Sequence, residues 1–245
     1  MTTPILLVTG AGRGIGAATA RLAAARGFDV AVNYLKDSKS ADAVVATVQS
    51  TGRRAIAVQA NMSSEADVLR MFEVVDDKLG PLTHLVYNTG ITGPISRVES
   101  IDTKALREIL DINVLGAFLC AKAAIARMST RHGGPGGAIV LLSSAMATLG
   151  GAGEYVGYSA SKGAIESMTI GLARELAGDG IRVNAVAPGP IATDIHPPGR
   201  LERITQAVPL ARPGTVEEVA ESVVFLLSSA SSYTTGAILR VAGGR

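Results

Sequence analysis

Seven short aliphatic runs alternating with stretches of helical periodicity constrain this chain more than any other feature. The runs cover residues 5–9, 29–34, 55–59, 84–88, 138–143, 182–187 and 238–241, with little polar alternation. Strands that are apolar on both faces belong in parallel sheets covered by helices on each side. Helical patterns occupy 15–26, 40–50, 64–79, 104–131, 156–177 and 216–227. Ser64, with Asp67 three residues on, gives one of these a capping-type start. The alternation predicts an α/β fold, a doubly wound seven-stranded parallel sheet with right-handed crossovers.

A length of 245 residues suits one such domain, with no linker or internal repeat. Lys and Arg number 23 against 21 Asp and Glu, a formal charge of +2. So small an excess makes no basic stripe and argues against nucleic acid as a partner. A lone cysteine, Cys120, lies in an apolar run and reads as a core residue. With no disulfide available, a reducing cytoplasm is the expected compartment. The start, Met1-Thr2-Thr3-Pro4, carries no basic stretch or long apolar core, and no membrane span is expected.

Two irregular segments stand out. Residues 133–137, Gly-Gly-Pro-Gly-Gly, read as a surface turn. Residues 188–214 contain six prolines (188, 190, 197, 198, 209 and 213) and read as neither helix nor strand. A long loop after a strand's carboxyl end sits where doubly wound sheets bind ligands, so this segment is the expected substrate lid.

The first strand runs into Thr9-Gly10-Ala11-Gly12-Arg13-Gly14-Ile15-Gly16, followed by a helical pattern. Gly10, Gly14 and Gly16 allow a tight turn and close backbone approach to a pyrophosphate at the helix N-terminus. This context makes the expected domain a dinucleotide-binding Rossmann fold. Sites that prefer NAD place a carboxylate at the end of the second strand. Here that strand ends Val32-Asn33-Tyr34, while Arg13 and Lys36 are available to a 2′-phosphate. NADP(H) is therefore the expected cofactor, with NAD(H) the alternative that Asp37 keeps open.

Tyr158 and Lys162 stand at i and i+4 in a helical pattern, hence on one face. A free phenol has a pKa near 10 and is a poor base at neutral pH. A neighbouring ammonium favours the phenolate, giving a group that can donate or accept a proton during hydride transfer. Tyr155 lacks such a partner, its i+4 neighbour being Ser159.

These motifs, with Asn88-Thr89-Gly90, Asn113-Val114, Ser143-Ser144, Pro188-Gly189 and Val241-Ala242-Gly243-Gly244, resemble the short-chain dehydrogenase/reductase family over essentially the whole chain. The resemblance implies that Ser144 holds the substrate oxygen, with Ser143 the less favoured candidate. It implies that Tyr158 transfers the proton, that Lys162 binds the nicotinamide ribose and acidifies Tyr158, and that Asn113 anchors a water. Asn88 and Gly90 would line the adenosine and ribose side, with Tyr34, Asn61 and Met62 among the cofactor contacts. Pro188, Gly189, Ile191 and Thr193 would meet the nicotinamide end. Two landmarks depart from the family pattern: Tyr87-Asn88-Thr89-Gly90 replaces Asn-Asn-Ala-Gly, and Asn61 stands where an aspartate is usual.

His84 and His132 read as packing or surface residues, while His196 lies in the expected lid. Three scattered histidines and one cysteine have no metal-ligand spacing, so no metal is expected. Within the family the chain looks most like glucose 1-dehydrogenases, which implies a small carbonyl or alcohol substrate, with a sugar or polyol favoured. The alternative is a 3-oxoacyl-carrier-protein reductase. Asp179 before Gly180 counts against that reading where a cation is usual, although Arg131 and Arg174 remain. A non-catalytic dinucleotide sensor is the remote alternative, disfavoured by the intact Tyr158, Lys162, Ser144 and Asn113. The resemblance also implies a homotetramer.

Overall fold

The computed structural model describes residues 3–194 and 197–245. Strands β1 (Ile5–Val8), β2 (Asp29–Tyr34), β3 (Ala55–Gln59), β4 (His84–Tyr87), β5 (Gly137–Leu142), β6 (Ile181–Pro188) and β7 (Ile238–Val241) form one seven-stranded sheet. Its order is β3-β2-β1-β4-β5-β6-β7, and every neighbouring pair is parallel. The order reverses between β1 and β4, which opens a crevice at the carboxyl ends of the strands.

Helices α1 (Gly14–Ala25), α2 (Ser38–Ser50) and α3 (Glu65–Lys78) cross between the first strands. Next come α4 (Thr103–Leu110), α5 (Gly116–Met128), the short α6 (Met146–Leu149) and α7 (Val156–Leu176). The six-residue α8 (Arg200–Thr205) and α9 (Val216–Leu227) precede the last strand. Alternate strand residues feed two cores. Leu7, Leu85, Tyr87, Ile139 and Leu141 pack with Met71, Phe72, Ala121 and Ile165 from α3, α5 and α7. Leu6, Val8, Val32, Val86 and Val140 pack with Ala17, Ala20, Val44, Val223 and Leu227 from α1, α2 and α9. Phe72 is fully buried, so Phe72→Ala would cost about 3–5 kcal/mol. The Ser64 side chain caps α3 by accepting from the Asp67 N–H, as its spacing predicts.

Two sequence expectations need correction. The helix expected over 104–131 is interrupted by a π-helical turn, Asp111–Leu115, and regular helix ends at Met128. Apolar periodicity does not reveal the extra residue in this turn. The Tyr87 hydroxyl donates to the Ile112 carbonyl and the Asn113 side chain bonds outside the helix, so tertiary contacts hold the wider turn.

The whole stretch Thr103–Met128 is long and apolar enough to cross a membrane by length and composition alone. Its buried residues, Ala117, Cys120, Ala121 and Ala124 among them, belong to the core.

Finally, residues 188–214 are not wholly irregular. Pro188 ends β6, α8 lies in the middle, and an isolated bridge joins Ile191 to Gly214. Pro197 and Pro198 precede α8 and Pro209 follows it, so none breaks its hydrogen bonds.

Candidate active site

A cleft of about 880 Å³ opens along the carboxyl ends of the strands. Its floor at one end is the turn between β1 and α1. Gly16 lies so close beneath this turn that a Cβ would fall 2.6 Å from the Gly10 carbonyl oxygen and 2.7 Å from Asn88 Nδ2. Two side-chain amides, buried Asn33 and half-buried Asn88, hold the turn in shape. Asn33 accepts from the Gly10 N–H at 3.0 Å, and its own amide reaches the Val58 and Ala60 carbonyls at 3.3 and 3.2 Å. Asn88 donates to the Thr9 and Gly10 carbonyls, each at 3.0 Å, while Thr9 Oγ1 accepts from the Asn88 and Thr89 N–H groups. From the sequence, Asn33 marks only the absence of a carboxylate. Its position beside the glycine turn was the available signal for this bracing role.

Arg13, Tyr34, Lys36, Asp37 and Ser40 line the same end. The Asp37 carboxylate caps α2, accepting from the Ser40 N–H at 3.0 Å and from its hydroxyl at 2.6 Å. Those bonds, the hydroxyl's foremost, hold its pKa below the usual carboxylate value. Arg13 reaches across the cleft to Asp194 at 3.9 Å, with both side chains largely exposed.

At the other end α7 brings Tyr158 and Lys162 to the wall, beside Ser144 after β5. Lys162 is 4 % exposed, and its Nζ donates to the Leu142 carbonyl at 2.6 Å and stands 5.7 Å from the Tyr158 ring centroid. Burial lowers its pKa to about 8. Burial also raises the Tyr158 pKa, against smaller opposing effects of a Ser144 hydrogen bond and the Arg200 charge. Burial, rather than the neighbouring charge, sets the direction of the Tyr158 shift. A phenol that keeps its proton beside a buried cation is suited to donating to an alkoxide.

Of the two serines, Ser143 turns inward to Glu166, donating to Oε1 at 3.0 Å, whereas Ser144 faces Tyr158. Asn113 is fully buried behind the wall. It exchanges bonds with both backbone groups of Ile91 and donates to Ser161 Oγ at 2.9 Å. Gly90 lies between it and Lys162, since a Cβ there would meet Lys162 Nζ at 3.3 Å and Asn113 Oδ1 at 3.4 Å.

Most of the expected cofactor residues come together on the cleft wall: Gly10, Gly14, Ile15, Asn88, Gly90, Pro188, Gly189, Ile191 and Thr193, besides those above. Four expected residues do not. Gly16 packs beneath the turn and Asn113 lies behind Gly90. The Asn61 side chain is turned to Ser63, accepting from its N–H and hydroxyl at 3.1 and 2.9 Å. Met62 is in the core against Cys120, sulfur to sulfur at 3.6 Å. His132 is exposed and half-buried His84 begins β4, while His196 lies outside the described residues. Among the described residues no cluster of His, Cys, Asp and Glu could hold a metal.

Sequence reasoning missed Arg200, which lines the cleft at the Tyr158 end. Its guanidinium lies 4.8 Å over the Tyr155 ring, and its Nε donates to Glu154 at 3.4 Å.

A family model described as enoyl-(acyl carrier protein) reductase matches residues 10–245. An uncharacterised oxidoreductase of Escherichia coli is 45% identical, covering 98% of this chain and 99% of its own. A 3-oxoacyl-[acyl-carrier-protein] reductase of Synechocystis is 42% identical over 100% of this chain and 97% of its own. Among solved structures, a blue fluorescent protein from a metagenomic library, in complex with NADPH, superposes with a TM-score of 0.92 at 37% identity. That match covers 98% of this chain and 97% of the other. A short-chain dehydrogenase from Burkholderia cenocepacia in complex with NADP gives 0.92 at 34% identity over the same shares.

Proposed function

The chain belongs to the short-chain dehydrogenase/reductase family, and we propose that it is an NADPH-dependent reductase of 3-oxoacyl thioesters. Membership makes it an NAD(P)-dependent oxidoreductase that interconverts a carbonyl and an alcohol. The observation that carries the finer reading is the full-length likeness to a 3-oxoacyl-carrier-protein reductase. It favours this substrate class over the sugar or polyol that the sequence suggested. Asp179, which argued against a carrier-bound substrate, is 8% exposed, accepts from Ser129 Oγ at 2.8 Å and pairs with Arg131 at 3.1 Å. So tied, it presents little free negative charge to an acidic carrier protein.

A dinucleotide fits the cleft because Gly10, Gly12 and Gly14 line that end without side chains, so bare backbone can meet the pyrophosphate, while Gly16 lets the turn pack closely. Gly10, Gly14 and Ile15 would approach the pyrophosphate at the N-terminus of α1, with Asn88 and Gly90 on the adenosine and ribose side. Arg13 and Lys36 would meet a 2′-phosphate, and the engagement of Asp37 by Ser40 supports NADP(H) over NAD(H). The likeness to proteins solved with NADPH and NADP supports the same choice. Pro188, Gly189, Ile191 and Thr193 would hold the nicotinamide end, and the bound nicotinamide supplies the hydride.

Ser144 orients the substrate carbonyl oxygen, and Tyr158 gives its proton to the alkoxide oxygen. Lys162 contributes positive charge beneath that oxygen and a donor to the ribose. Asn113 fixes Ile91 and Ser161 around this group and braces the water relay that reprotonates Tyr158. Residues 188–214 act as the lid over the substrate. Exposed Leu110, Leu115 and Phe118 on the outer side of Thr103–Met128 support a closed homo-oligomer, in our reading a tetramer in the cytoplasm.

Fluorescence titration with NADPH and NADH, followed by reduction of an acetoacetyl thioester, tests this reading. Tighter NADPH binding and thioester turnover are expected. Turnover of simple sugars but not of the thioester would overturn the substrate class, and tighter NADH would overturn the cofactor. Tyr158→Phe should bind NADPH normally yet lose turnover by about 10²–10⁴-fold, and retained turnover would refute its role.

A further inference from the structure

Arg200 opens α8 within the lid, yet its side chain is only 11% exposed. Glu154 holds it by the 3.4 Å ion pair and also takes Arg203 from the same helix. Those bonds, the one from Arg203 first, keep the Glu154 carboxyl below the usual carboxylate range. The guanidinium is thereby clamped over the Tyr155 ring. Tyr155 caps the start of α7 three residues before Tyr158, and both tyrosines line the cleft together with Arg200.

The second cation near Tyr158 is Lys162 on the same helix, whose Nζ is directed at the Leu142 carbonyl. Neutral Ser144 faces Tyr158 from the segment after β5, and Asp194 and Arg245 line the same cleft. Glu154 and Arg203 stand behind Arg200.

We propose that Arg200 is a positioning residue of the reaction centre: docking of the lid brings its guanidinium beside Tyr158 and favours negative charge on that hydroxyl. The proposal rests on the reading of Tyr158 as proton donor. Arg200 also opposes the upward push that burial gives the Tyr158 pKa. As Tyr158 passes its proton to the alkoxide it acquires the charge that Arg200 favours, so a docked lid eases the transfer. Lid closure and proton transfer are thus coupled through one side chain, in place of a purely steric cover.

The test is the pH profile of kcat/KM for reduction of an acetoacetyl thioester by NADPH, with wild type, Arg200→Gln and Arg200→Lys. Activity falls at alkaline pH first as Lys162 loses its charge near pH 8 and then, higher, as the Tyr158 donor ionises, and the upper fall is the one read. Arg200→Gln should move that fall upward by roughly half to one pH unit, and Arg200→Lys should keep it near the wild-type position. NADPH affinity should be unchanged in both. A Gln variant with the wild-type profile would overturn the proposal. Equal displacement in the Lys variant would do the same, because packing and not charge would be responsible. Should Tyr158→Phe retain turnover, the proton-donor reading fails first; if that variant is inactive and the profile ignores Arg200, only the present inference fails.

Discussion

The two ends of the central sheet treat charge in opposite ways. At the amino ends of the strands, buried charge is matched. Asp29, 1% exposed at its side chain, accepts from Arg53 and Arg54 at 2.8 and 2.7 Å. At the carboxyl ends, the buried Lys162 ammonium has a backbone carbonyl and an aromatic ring, while Arg13 has a weak, exposed partner. Burial shifts a charge toward neutrality unless an opposite charge meets it, so the amino end stabilises and the carboxyl end stores unfavourable energy. The difference identifies the edge of the sheet kept for a ligand.

The largest expected effect comes from Lys162→Met. Turnover should fall by about 10²–10⁴-fold, yet the ligand-free protein should gain about 1–2 kcal/mol at neutral pH, less the cost of the orphaned Leu142 carbonyl. The Lys162 pKa lies near 8 in the fold against 10.5 when unfolded. The unfolded chain therefore holds the extra proton between those values, and wild-type stability rises as pH increases through that window. Urea unfolding across it should show a rise that the variant lacks. Lower stability in Lys162→Met would break the comparison.

Asp29→Asn should do the reverse, costing about 3 kcal/mol while leaving turnover per folded molecule unchanged. Burial alone would raise the Asp29 pKa, but hydrogen bonds from Arg53 and Arg54 bring it below the ordinary carboxylate value of 3.8. Its contribution is present above that value and is lost as pH falls through the lower folded one. Matched urea curves and initial rates separate the two effects, and a catalytic defect in the folded variant would count against the division of labour.

How much of this was legible in the sequence follows from the range of each interaction. The strands at 29–34, 55–59 and 238–241 and the helix at 216–227 fall at the predicted residues, because apolar periodicity is local. Tyr158 with Lys162 and the glycine turn were also readable, since each needs only its own spacing. The π turn was not: it depends on Tyr87 and Asn113 bonding partners 25 and 22 residues away. Arg200 was hidden for the same reason, its clamp Glu154 being 46 residues distant across a proline-rich segment. The weight that Asp179 carries against a carrier-bound substrate is likewise set by partners at a distance, because sequence gives its charge but not the Ser129 and Arg131 contacts that engage it.

His84 sharpens the comparison from the amino end. It begins β4, lies edge-on to the Phe28 ring at 5.0 Å between centroids, and its Nδ1 is 2.7 Å from Thr83 Oγ1. Burial lowers its pKa from 6.5 to about 4. Between those values the unfolded chain holds a proton that the fold excludes, so stability falls as pH drops through that window. The loss should reach about 2–3 kcal/mol by pH 4, and His84→Phe should flatten this part of the urea-unfolding profile. An unaltered slope in the variant would show that the acid sensitivity arises elsewhere.

The smallest effect expected is at Arg13, where the carboxyl end meets solvent. Its side chain is 78% exposed, and its ion pair with Asp194 at 3.9 Å is too open to stabilise the fold measurably. Arg13→Ala should therefore leave the unfolding curve in place. A 2′-phosphate is a stronger partner than Asp194, because a doubly charged group offers charge-assisted bonds to the guanidinium fork. Loss of such bonds at an exposed site costs about 1.4 kcal/mol, so NADPH should bind about tenfold more weakly while NADH is little affected. Asp194→Asn removes the competitor and should tighten NADPH slightly. If both variants change NADH and NADPH alike, Arg13 serves the pyrophosphate end or the lid, and the exposed cations of this edge are not reserved for the 2′-phosphate.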